Sequence, residues 1–222
     1  MNTAIVTVLL GSLTLPALAS EPAGGLVTRI QGRISISSSG QPTQPLPPFY
    51  RVKTGDRIDL ASGATLQLVL LQNGRQEVWR GPVKLAIDNE NSRCEPDPCQ
   101  AEVKQLPTAV LATLSRSPTV ISDIRNRSGM VMVRAAGANQ PLEEANGNYR
   151  TMREQADEAD ITPELYLLTR LYQLRQYREI PRVLDDMQKR QPGNPEVIAA
   201  RKQFTAQWQE MERRRKARAE GQ

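Results

Sequence analysis

The chain has no histidine. That absence removes Ser-His-Asp and Cys-His catalysis, and the usual zinc hydrolase sites, from what this chain can do by itself. Cysteine is nearly as scarce, with only Cys94 and Cys99 present, and two thiolates cannot complete a structural metal site without further ligands. Neither a metal nor a cofactor site is expected. A strong excess of charge is missing too: the formal net charge is +5 and is spread over both halves, so no nucleic-acid partner follows from it. Long apolar runs are absent beyond residue 15, so no segment of the mature chain is expected to span a membrane as a helix, which takes about 20 apolar residues.

What is present begins with a short apolar stretch. Residues Ala4 to Leu15 are apolar or small and lead through Pro16 to Ala17-Leu18-Ala19, the pattern of a secretory signal peptide over residues 1–19. A buried N-terminal strand or helix is the plain alternative. Export through this segment predicts a periplasmic protein whose mature chain starts at Ser20 or Glu21. The remaining length suits one large domain or two small ones. Composition favours two, because residues 26–105 are rich in Gly, Pro, Val, Ile and Thr while residues 142–220 are rich in Leu, Glu, Gln, Arg and Ala. The first mixture favours strands and the second helices, so the expected fold class is α+β. The expected domains are 21–136, β-rich with two short helices, and 142–222, α-helical, divided in "AGANQP" at residues 136–141.

In an exported chain "CEPDPC" reads as a local disulfide between Cys94 and Cys99. A redox pair would need closer spacing and a helix N-terminus, which Pro96 and Pro98 oppose. Carboxylates cluster as Asp56 and Asp59, Asp88 and Glu90, Glu143 and Glu144, and Asp185 and Asp186. None sits in a recognisable catalytic frame, and adjacent acids are most often solvated surface. No catalytic residue is assigned.

The stretch "FYRVKTGDRIDLASGATLQLVL", residues 49–70, opens like a glycan-binding LysM repeat, which would continue into an amphipathic helix. Instead Ser62-Gly63 and Asn73-Gly74 are turn signals, Thr65 to Leu71 favours strand, and Glu77 to Arg80 and Val83 to Ile87 read as further strands around Gly81-Pro82. Gly55, Gly63 and Gly74 are expected at positive φ, Gly32 at a bulge or close strand approach, and Asp56 bonded to backbone in its own turn. With "VTRIQGRISI", "TGDRI", "ASGATLQLVL", "NGR" and "RGPVKLAI" in this order, the region from Val27 to Ile87 resembles the FecR-type periplasmic domain. That resemblance implies a β-rich ligand- or protein-binding module of envelope signalling. The chain departs from the family's arrangement in carrying a signal peptide where the sigma-binding segment and membrane span would stand.

Downstream, "LPTAVLATL" and "SPTVISDIRNRSG" read as short helices, the second with Ser117 as N-cap, Pro118 at its first helical position and Gly129 ending it, and "MVMVRA", residues 130–135, reads as a strand. Thr162 is expected to cap a helix that Pro163 opens, with Leu167, Leu168, Leu171 and Leu174 on one face, and a second helix places Ile180, Val183, Leu184 and Met187 inward. This pair, with Pro192 after it and "NPEV" starting the next helix, resembles one tetratricopeptide repeat. One repeat cannot bury both its faces, so helices around 142–158 and 196–217 are expected as neighbours. Such an array offers a groove for a peptide or partner helix. Leu167, Leu171, Leu184 and Trp208 read as core, Tyr166, Tyr172 and Tyr177 as candidate contacts, and the tail "MERRRKARAEGQ" as a solvated basic helix end.

These readings converge on an exported, non-catalytic binding or scaffold protein of a bacterial cell envelope, in signalling or assembly, with a protein partner. A peptidoglycan-binding protein is the alternative, with glycan as partner. A hydrolase using paired carboxylates ranks third.

Overall fold

The structure, a computed structural model, describes residues 24–95, 98–126 and 139–220. The signal peptide, Pro96, the Gly129 helix stop, the strand expected at 130–135 and half of the 136–141 boundary lie outside the described residues. The architecture is α+β, with strands first and helices after.

Ten strands form two antiparallel sheets. β1 (Gly25–Gln31), β4 (Arg51–Val52), β6 (Thr65–Leu70), β7 (Arg75–Arg80) and β10 (Glu102–Gln105) make the first, in the order β10-β7-β6-β1-β4. β2 (Ile34–Ser37), β3 (Gln44–Pro45), β5 (Arg57–Leu60), β8 (Val83–Ile87) and β9 (Ser92–Glu95) make the second, in the order β3-β2-β5-β8-β9. Successive side chains of a strand face opposite ways, and the sequence uses that period. In β5 the residues Ile58 and Leu60 are buried while Arg57 and Asp59 are exposed. Leu66, Leu68 and Leu70 of the first sheet meet Ile36, Ile58, Leu60, Leu85 and Ile87 of the second in one apolar cluster. The outer face of the second sheet is left to solvent.

The four strands β5 to β8 follow Asp56 directly, so no helix stands where a LysM repeat would have one. Asp56 accepts the Lys53 N–H at 2.8 Å, closing its turn locally as expected. Gly55, Gly63 and Gly74 all have positive φ. At Gly32 (φ 81°) the chain passes from β1 in one sheet to β2 in the other, and a Cβ there would stand 3.0 Å from the Ala64 Cα. Close approach, not a bulge, is therefore what Gly32 permits; the irregularity in β1 lies between Val27 and Arg29.

The first sheet differs from the second in burying both faces. Val69 and Leu26, on the side away from the second sheet, join a separate apolar cluster with the helices. Those helices are α1 (Thr108–Leu114), α2 (Ser117–Asn126), α3 (Asn139–Gln155), α4 (Thr162–Gln173), α5 (Ile180–Arg190) and α6 (Pro195–Glu220). α4 is the central one: every residue from Thr162 to Thr169 is buried, because α1, α2, α3 and α5 all pack against it. Leu167, Leu168 and Leu171 are buried and Leu174 half-buried, while Ile180, Val183, Leu184 and Met187 of α5 are all buried, as their spacing predicts. The core therefore runs across residues 136–141, where composition changes. α1 and α2 precede that point, yet they pack on α4 and α6, which follow it.

Two helix starts differ from expectation. Thr162 is not the cap of α4; Asp160 takes that work, its Oδ1 accepting the Thr162 N–H at 2.8 Å. The Thr162 hydroxyl is used by glutamines of the first sheet instead. Ser117 is the first residue of α2, and its hydroxyl shares a 2.9 Å hydrogen bond with Thr169 of α4. Among the described residues, no helix is long and apolar enough to cross a membrane.

Candidate functional site

Consecutive helices joined by short connections run antiparallel, so α3 and α5 flank α4 in the same direction. The three helices enclose a groove of about 640 Å³. Its apolar lining comes from Leu142 of α3, Leu167 and Leu171 of α4, and Val183 of α5. These positions fall at helical spacing, so the stripe that builds the core also supplies the groove. Asn146 and Gln176 add amides to the wall.

The inner end of the groove is polar and tightly held. Glu164 is 1% exposed, and a buried carboxylate is costly unless it is paired. Arg153 of α3 reaches it at 3.1 Å and Arg190 of α5 at 3.2 Å. The Tyr149 hydroxyl donates to Glu164 Oε1 at 3.2 Å. Burial, and then the Glu164 carboxylate beside it, raises the Tyr149 hydroxyl's pKa above its ordinary value. Arg153 also donates to the Ala156 carbonyl at 2.8 Å and the Asp160 carbonyl at 2.6 Å, so it ties the end of α3 and its connection to α4. Tyr149 and Arg153 donate to its oxygens and the Arg190 guanidinium stands beside it as an ion pair, its Nε making no hydrogen bond, so Glu164 is built as an anchor of the groove rather than an acid or base facing a ligand.

A second polar cluster joins the helices to the first sheet. Asp160 is 2% exposed; its Oδ1 accepts from Gln67 Nε2 at 2.7 Å and its Oδ2 from Gln76 Nε2 at 2.8 Å. Gln191, just after α5, donates to the Thr28 carbonyl of β1 at 3.2 Å. A cleft lined by Gln76, Asp160 and Thr162 reaches this cluster, but at about 10 Å³ it has room for no more than a water.

The residues singled out in the sequence scatter. Cys94 and Cys99 stand at disulfide distance, with their Cα atoms 6.3 Å apart, closing the loop after β9 at the edge of the second sheet. Asp88 pairs with Arg93 at 3.4 Å and Asp185 with Arg201, both at the surface. From the acidic pairs, Glu143 and Asp186 line the groove, whereas Asp56 and Asp59 do not. Tyr166 is buried and accepts a 3.0 Å hydrogen bond from Asn148. Tyr172 and Tyr177 meet edge to face, with ring centres 5.8 Å apart. None of these three lines the groove; Tyr149 does. Trp208 is half-buried and stacks on Phe204, beyond which α6 carries exposed cations. Arg213 and Arg214 both pair with Glu210, and the hydrogen bond and charge of Arg214 hold its carboxyl below the usual range.

Sequence reasoning missed Tyr149, Arg153, Glu164 and Arg190, which build the inner end of the groove. Their one signal was Glu164 in the first turn of a helix whose neighbours are all apolar. Comparison of the chain with protein-family models, curated proteins and solved structures finds no match.

Proposed function

We propose that this chain is an exported, non-catalytic binding or scaffold protein of a bacterial cell envelope, and that it captures a protein partner in the groove between α3, α4 and α5. The observation that carries this reading is the groove itself: an apolar floor with polar walls, open at the surface and held at its inner end by the Glu164 cluster. Small concave sites with apolar lining and a few placed polar groups are what ligand and peptide binding requires. The missing histidine and the full engagement of Glu164 favour binding over chemistry. Export is supported by the apolar stretch before Ala19 and by the Cys94 and Cys99 pair, since disulfides persist in oxidising compartments.

The test is capture from envelope extract on the tagged full chain, with partners identified by mass spectrometry. An Arg150→Glu, Arg182→Glu variant changes two exposed groove residues and should lose the partner, while Lys84→Glu on the outer face of the second sheet should keep it. Undiminished capture by the groove variant would sink the reading. Retention on purified peptidoglycan with no protein captured would put a glycan-binding function in its place. N-terminal sequencing of the exported chain should start at Ser20 or Glu21, and an intact Met1 in a cytosolic fraction would remove the envelope from the proposal.

A further inference from the structure

β10 is the last strand of the first sheet, and among the described residues no strand but β7 pairs with it. In an antiparallel pair the backbone groups of alternate residues point to the neighbouring strand, and those of the residues between point away. Leu106 donates its N–H to the Gly74 carbonyl at 2.9 Å, and the same register sets Lys104 opposite Gln76 and Glu102 opposite Val78. Glu102, Lys104 and Leu106 therefore turn their backbone groups to β7, while Val103 and Gln105 turn theirs to the open edge. The other sheet edges offer less: β3 and β4 are two residues each, and β9 ends inside the ring closed by Cys94 and Cys99. Val103 is also 41% exposed, the more open of the two large apolar side chains that face solvent among the described residues.

An open edge with an exposed apolar residue is a template for another strand, and charged side chains are a common guard against it. Here the charges stand on either side of Val103 and are self-complementary. Two copies of β10 set antiparallel about a two-fold axis at Val103 oppose Val103 to Val103, in a pair that exchanges both backbone hydrogen bonds. Glu102 of each copy then faces Lys104 of the other. Within one chain Lys104 reaches Glu102 only at 4.0 Å. Their nearer neighbours extend the match: Arg80 lies 3.4 Å from Glu102 and Asp157 lies 3.1 Å from Lys104, so charge alternates in sign from Arg80 through Glu102 to Lys104 and Asp157 of the second copy. Moving the axis by one residue opposes Glu102 to Glu102 or Lys104 to Lys104, and like charges directly opposite are destabilising. We propose that this chain forms a homodimer by antiparallel pairing of β10 with the β10 of a second copy, centred on Val103, which joins the two first sheets into one. No β10 residue lines the groove between α3, α4 and α5, so the dimer presents two grooves.

The experiment is sedimentation equilibrium of the purified chain over a range of concentrations, beside three variants whose fold is checked by circular dichroism. The wild type should associate to a dimer. Glu102→Lys and Lys104→Glu should each weaken association about tenfold, because both cross-strand charge pairs become like pairs. An equimolar mixture of these two variants should recover most of it, since each supplies the sign that the other lacks. Val103→Pro removes an N–H that faces the open edge, a place where a strand tolerates proline, and should abolish the dimer while leaving the fold intact. A wild type that stays monomeric at every concentration, a dimer unaffected by Val103→Pro, or a mixture no better associated than either charge variant alone would each overturn the proposal. A monomeric chain that takes a strand of a different protein along β10 would likewise overturn it and give the edge to that partner.

Discussion

The side-chain amide of Gln67, in the middle strand of the first sheet, donates to the carboxylate of Asp160, just ahead of α4, at 2.7 Å. Ninety-three positions of sequence separate them, and both are buried. Gln76 donates to the other oxygen of the same carboxylate, so one acidic side chain holds two strands and the start of the central helix together. Asp160→Ala would take one acceptor from each glutamine amide, which keeps a longer bond to the Thr162 hydroxyl, and would leave the Thr162 N–H without its acceptor. Loss of about 3 kcal/mol is expected, since each buried unpaired group costs about 1–3 kcal/mol. Urea denaturation of the variant measures it, and a change under about 0.5 kcal/mol, the level of an ordinary surface substitution, would refute the latch.

The same joint bears on how the chain divides. Expressed separately, residues 21–136 and 142–222 would each expose apolar surface from the cluster that Leu26 and Val69 share with α1, α2, α4, α5 and α6. The helical fragment would also lose α1 and α2 from α4. It is expected to be poorly folded alone and to recover helicity on mixing with the other fragment. A cooperative unfolding transition in the isolated helical fragment, equal to that of the whole chain, would show two independent units.

Glu164 sits between two arginines that are themselves largely buried, with side-chain exposures of 16% and 26%. Removing one partner of a buried pair leaves the others uncompensated. Glu164→Ala should cost about 3 kcal/mol, near the low end for buried pairs because both guanidinium groups keep some water contact. Glu164→Gln should cost less, since the amide oxygen still accepts. Equal stability of the Ala variant and the wild type in denaturant would rule out this role.

Tyr149 predicts an alkaline dependence. Its pKa in the fold is raised above 10.0 by burial and by Glu164, so the fold favours the neutral hydroxyl. The stability this contributes is fully present below the unfolded value near 10 and is lost as pH rises through the higher folded value. Comparing the pH dependence of unfolding for the wild type and Tyr149→Phe above about pH 10 isolates the effect. The wild type should lose stability more steeply with pH, and coincident slopes would exclude it.

The ring closed by Cys94 and Cys99 is small. In the chain-entropy account such a ring contributes about 2 kcal/mol. Replacing both cysteines with serine should lower stability by about that amount while groove binding is unchanged, because the loop lies on the second sheet, away from α3, α4 and α5. Loss of partner capture in a folded double variant would assign the pair a part in function.

Much of the architecture was legible because it is local. Period-two burial in β5 and β8, the turn glycines, the Asp56 turn and the inward stripe of α5 each follow from spacing within a few residues, and spacing is what a sequence displays. The two-part composition likewise separates strands from helices. Residue types alone exclude histidine chemistry. The rest depended on contacts between distant positions. Nothing near Asp160 in the chain marks it as the acceptor of two glutamines from the sheet, and nothing near Glu164 announces Arg153 and Arg190. Thr162 looks like a helix cap until the sheet claims its hydroxyl, and Tyr166 looks like a contact residue until Asn148 covers it. The first sheet buries both faces only because the helices fold back over it, and the groove exists only because α3 and α5 stand on either side of α4. Local pattern determines which elements form; the burial of polar groups against partners far along the chain decides how they dock, and so where a ligand can sit.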